Sequence, residues 1–111
     1  MAVAYSNNWR QLNSYRNQSV VGLTPAELLL KTYDVILVAL TARDGDRACR
    51  GVAELIDNLD FHYQEAAGGL FRLYRYCMEE IKKGNFDIPS NLLRELRQTW
   101  AEAFDRLERS K

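Results

Sequence analysis

Histidine, cysteine and proline are scarce in this 111-residue chain, with one, two and two copies, and the net charge is zero. Each scarcity excludes something. A di-metal carboxylate centre in a helical bundle needs Glu-x-x-His pairs on two helices, and His62 is the sole imidazole, so no metal site of that kind is expected. Beside a helix start His62 reads as a solvated or capping residue. Cys49 and Cys77 lie outside any C-x-x-C pattern and read as reduced packing residues rather than a disulfide framework. No G-x-S-x-G, Walker loop or G-x-G-x-x-G occurs, so the chain is expected to be no enzyme and to carry no cofactor.

Charge and hydropathy exclude two further partner classes. The 15 basic and 15 acidic residues balance, and only Arg10 and Arg16 are charged in the first 24 positions, which gives no footprint for nucleic acid or an anionic membrane. The longest apolar run, 35–40, is about a third of the ~18 residues a bilayer span requires. The first residues show neither a basic nor an apolar signal region, so a cytoplasmic location is expected.

What remains is 47% hydrophobic residues in a length suited to one domain, enough to bury roughly two thirds of the unfolded surface. Residues 1–23, rich in Asn, Gln, Ser and aromatics, form an N-terminal arm without sustained period. Thr24-Pro25-Ala26-Glu27 then combines an N-cap, a proline at the first helical position and a capping-box glutamate. The helix it opens is expected to reach about 43, where Asp44-Gly45-Asp46 makes a turn and caps the next. Apolar stripes predict helices over about 46–59, 61–83 and 88–109. A single helix over 46–83 would be about 57 Å long and leave half its stripe in water, so it must break. The break is placed at Asp60, where the stripe loses phase and a carboxylate can cap a new start, with Gly68-Gly69 inside the third helix, the alternative being a break at the glycines themselves. The fold expected is all-α, an antiparallel up-down four-helix bundle with an N-terminal arm.

The first helix is apolar nearly all round. Leu29, Tyr33, Ile36 and Leu40 fall in a sector of ~60° that serves the core. Leu28, Val35 and Val38 lie outside it, on a side that only the chain's own arm or a partner can cover. Two readings follow: a thicker core beneath a permanently docked tail, or a hydrophobic groove that another chain occupies after displacing the arm.

From Tyr15 onward, the order Tyr15, Val20, Thr24-Pro25, Glu27-Leu28 and Tyr33-Asp34 resembles the opening of the flagellin export chaperones, the FliS family. Leu55-Ile56, Leu59-Asp60, Leu73-Tyr74, Tyr76, Asn85, Asp87, Leu96-Arg97 and Trp100 resemble its later landmarks, so the likeness spans about 15–104. Thr32, Gly22, a short first hairpin and a late glycine pair depart from the family pattern. The resemblance implies a cytoplasmic, non-enzymatic bundle that binds the disordered C-terminal segment of flagellin, prevents premature polymerisation and delivers it to the flagellar type III export apparatus. It also implies that the arm around Tyr15 and Val20 is a movable lid. Tyr33, Asp34, Tyr74 and Trp100 are then either core or client contacts, and the chain is a monomer or weak homodimer without nucleic acid or membrane insertion. The alternatives are a bundle chaperone or adaptor for a different exported or regulatory protein, and a self-associating structural bundle.

Overall fold

The computed structural model describes residues 4–5 and 23–109. Four helices follow in order: α1 (Pro25–Thr41), α2 (Gly45–Asp57), α3 (Gln64–Lys82) and α4 (Asp87–Arg109). They form an up-down bundle in which each helix packs on two neighbours, α1 on α2 and α4, α3 on α2 and α4.

Local chemistry sets the ends. The capping box forms as expected: the Glu27 N–H donates to Thr24 Oγ1 at 3.1 Å, and the Thr24 N–H donates to Glu27 Oε1 at 2.9 Å. α1 stops at Thr41 rather than 43 because Arg43 turns left-handed, at φ 58. The Arg43 N–H then donates to Leu40 O and the Asp44 N–H to Ala39 O, which is Schellman closure. Asp44 also caps α2, accepting from the Arg47 N–H at 3.2 Å. α3 closes in the same way around Gly84, at φ 86, with Asn85 N–H bonded to Glu80 O. The Glu80 carboxylate is buried there and is satisfied by the Asn85 amide at 3.0 Å and Lys83 Nζ at 3.3 Å.

The chain breaks between α2 and α3 around Asp60, where the apolar stripe loses phase, and Gly68-Gly69 sit within α3 rather than at the break. Asp60, however, does not cap α3. Its Oδ1 accepts from the His62 N–H at 3.0 Å and lies 2.9 Å from His62 Nδ1, an Asx-type turn that delays the helix start to Gln64. These bonds, the backbone one first, hold the Asp60 carboxyl below its ordinary range.

Tyr33, Tyr74, Leu28, Ile36, Leu55, Val52 and Leu93 are the largest buried core side chains. α1 and α2 approach closely at Gly51, where a Cβ would clash with Ile36 Cγ1. Gly68 and Gly69 serve no such approach, since a Cβ at Gly69 would meet nothing within 4 Å. Both cysteines are free, Cys77 buried and Cys49 half-buried.

Candidate functional site

The site is built on the face of α1. A helix in a four-membered ring touches two neighbours, so its buried arc is wide. On α1 the arc runs from Leu28 and Ala39 through Ile36 and Leu29 to Leu40 and Tyr33, about 140° at 100° per residue. Leu28, expected on the outer side, is therefore a core residue, 2% exposed. Val35 is half-buried beyond the arc, and Val38 stands 60% exposed with Lys31 on the outer face.

Four aromatic residues far apart in sequence converge behind that arc. The Trp100 indole N–H donates to the Tyr33 hydroxyl at 3.0 Å, and the Tyr33 and Tyr74 hydroxyls lie 2.6 Å apart. The Tyr5 hydroxyl is 3.0 Å from that of Tyr74 and donates to the Leu55 carbonyl oxygen at 3.1 Å. An indole only donates and a carbonyl only accepts. Each proton is therefore used once when the chain runs Trp100 to Tyr33 to Tyr74 to Tyr5 to Leu55. Burial is the first cause that raises the titration of all three phenols far above the ordinary tyrosine value, so they are neutral donors at any physiological pH.

Tyr5 belongs to the arm, yet it is only 5% exposed. Its backbone makes an antiparallel bridge with Leu59, and the Asp60 N–H donates to the Ala4 carbonyl at 2.6 Å. Its ring meets Trp100 edge-on at 5.8 Å, and Trp100 in turn stacks on Phe104. This docking also completes the end of α2, where the last carbonyls lack intrahelical partners. The Asn58 amide serves Glu54 O at 2.9 Å, the Leu59 N–H serves Ile56 O at 3.1 Å, and Tyr5 serves Leu55 O. Among the described residues, Asn58 Oδ1 is left buried without a hydrogen-bond partner.

The residues singled out in the sequence thus divide. Tyr33, Tyr74 and Trp100 are brought together with Tyr5, with both tyrosines fully buried and Trp100 partly so. Asp34 lies beside this cluster but points to α4, where Arg97 makes a two-pronged pair with it at 2.5 and 3.1 Å. That pair raises the Arg97 titration further through the hydrogen bonds. Val35 and Val38 remain toward solvent on α1. Tyr15 and Val20 lie outside the described residues. Sequence reasoning missed Tyr5 as a site residue, Arg97 as the partner of Asp34, and Gly51. For Tyr5 the available signal was an aromatic next to small residues in an otherwise polar arm. Among the described residues no group of three His, Cys, Asp or Glu gathers to hold a metal ion, and no helix is long and apolar enough to cross a membrane. No protein-family model matches the chain, and neither does any curated protein or solved structure.

Proposed function

We propose that the chain is a cytoplasmic flagellar export chaperone, a non-enzymatic bundle that holds the disordered C-terminal segment of flagellin and presents it to the type III export apparatus. The observation that carries this reading is the arm residue Tyr5 seated among Tyr33, Tyr74 and Trp100. Three of those positions are landmarks of the family resemblance, and the fourth is an arm residue seated over them. The outward valines of α1, Val35 and Val38, supply apolar surface of the kind an amphipathic client helix needs.

The physics of such a client fits. Helices of flagellin that order only in the filament have apolar faces to bury beforehand, and ordering them on the chaperone costs several kcal/mol, which keeps release feasible. A client that takes the Tyr5 slot competes with the arm. Burial of one tyrosine side chain is worth about 2 kcal/mol, so an occupied slot lowers apparent client affinity roughly thirty-fold. The incoming segment must also satisfy the Leu55 carbonyl and the Tyr74 hydroxyl, or leave a buried polar group unpaired at about 1–3 kcal/mol.

Calorimetric titration with the C-terminal segment of flagellin from the same organism tests the reading, using the full chain, the Tyr5→Ala variant and a truncation lacking residues 1–19. Saturation near one-to-one with a large negative heat-capacity change is expected, and both altered forms should bind more tightly. No binding by folded protein overturns the flagellin assignment. The exposure of Val38 favours one second reading, self-association through the outer face of α1, for which the mass in solution would rise with concentration.

A further inference from the structure

The α1–α2 and α3–α4 turns lie at the end of the bundle away from Tyr5. Both use Schellman closure, but the left-handed residue is Gly84 in one and Arg43 in the other. A side chain at such a φ is strained, and glycine is the ordinary occupant. What Arg43 contributes is therefore its side chain. Its guanidinium lies 5.3 Å from the centre of the Phe86 ring, which stiffens an otherwise flexible arginine.

Arg43 and Phe86 line a cleft of about 360 Å³ between the end of α1 and the start of α4. Arg94 lines it as well, together with Thr41, Ser90 and Asn91. The one carboxylate in the lining is Asp87, against two guanidinium groups, so the cleft is locally positive on a protein of zero net charge. Neither arginine makes a salt bridge among the described residues, and Arg94 donates only a long 3.4 Å bond to Asn91 Oδ1.

We propose that this cleft binds an acidic peptide segment of a partner protein, with Arg43 and Arg94 as the recognition pair. Guanidinium forks match carboxylates in a two-pronged geometry, and Arg43 is held in place by Phe86. The cleft volume sits at the low end of sites for small ligands, roughly 300–1,000 Å³, and its lining is mainly polar, with the half-buried Phe86 ring as its apolar contact. Both arginines are exposed, so a single free anion gains little in this cleft. Several carboxylates along one chain gain together and are steered by the local charge. The site is far from the arm slot and does not rest on the flagellin reading.

The test is a titration of the full chain with an end-capped hexaglutamate peptide and with its hexaglutamine counterpart, followed by amide chemical shifts. The expected result is saturable binding of hexaglutamate alone, with shifts confined to residues around Ser90 and Asn91 and weakening as salt is raised. Arg43→Gly combined with Arg94→Gln should weaken it at least tenfold. The glycine suits the left-handed turn, so the double variant is expected to keep its helical spectrum. Equal binding of the two peptides, hexaglutamate binding unaffected by the double variant, or binding of inorganic phosphate but not of the peptide would each overturn the proposal.

Discussion

Tyr33 and Tyr74, 41 positions apart in the chain, share a 2.6 Å hydrogen bond between hydroxyls whose residues are wholly buried. Trp100 feeds this pair from one side and Tyr5 drains it on the other, so the four residues behave as one unit. Removing a middle member strands both neighbours. Tyr33→Phe should cost about 1–3 kcal/mol in urea unfolding. Trp100→Phe, which keeps a ring but loses the donor, should cost about 1 kcal/mol. The double variant should show coupling, costing less than the sum of the two.

The same burial makes stability depend on alkaline pH. Tyr5, Tyr33 and Tyr74 titrate above the ordinary value of 10.0 when folded, and the Cys77 thiol is pushed up to about 11 from 9.0, all chiefly by desolvation. Above those ordinary values the unfolded chain binds fewer protons than the folded one, so stability falls as pH rises. The contribution is complete below about pH 9 and is lost progressively above it, at up to ~1.4 kcal/mol per pH unit for each group. Absorbance near 295 nm should show three of the six tyrosines ionising only as the protein unfolds.

Glycines inside two helices should respond oppositely to alanine. Gly51→Ala drives a methyl into Ile36 Cγ1 and should destabilise by about 1–3 kcal/mol, with partial rescue by Ile36→Ala. Gly69→Ala meets open space and should stabilise by up to about 1 kcal/mol. Thermal melts of the two variants check both signs.

Val38 separates client binding from folding. At 60% exposure it contributes little to the core, so Val38→Asp should leave the helical signal and melting midpoint nearly unchanged. On the proposed function it should also abolish binding of the flagellin segment. An undiminished affinity would remove this face of α1 from the client surface.

Asp34→Asn breaks the pair with Arg97. Both side chains are partly solvated, 47% and 33% exposed, so the loss should be at most about 1 kcal/mol and shrink in high salt. Unfolding curves at low and high ionic strength measure it.

The helices were legible because their signals are local: a capping box at Thr24, a turn at Asp44, and a glycine after the lysines at 82–83. The need for a break was legible from length and its place near Asp60 from the lost phase of the stripe, but not the use of its carboxylate, which goes to His62 two residues on rather than to the start of α3. Leu28 was misplaced because a single-helix projection does not show that two neighbours widen the buried arc. Asp34 and Arg97 stand 63 positions apart, and no pattern within either helix pairs them. Tyr5 was hidden for a similar reason: one docked side chain has no period. Its partners belong to α2, α3 and α4.

That spread of partners sets an order of assembly. Tyr5 docks in a slot that exists only once residues as distant as Tyr74 and Trp100 are in place, 69 positions away in the case of Tyr74. Seating it closes a loop of most of the chain's length and belongs after the main folding barrier. Substitutions at Tyr5 should therefore speed unfolding while leaving the refolding rate almost untouched. Amides at the slot should then exchange with solvent ahead of those in the four helices.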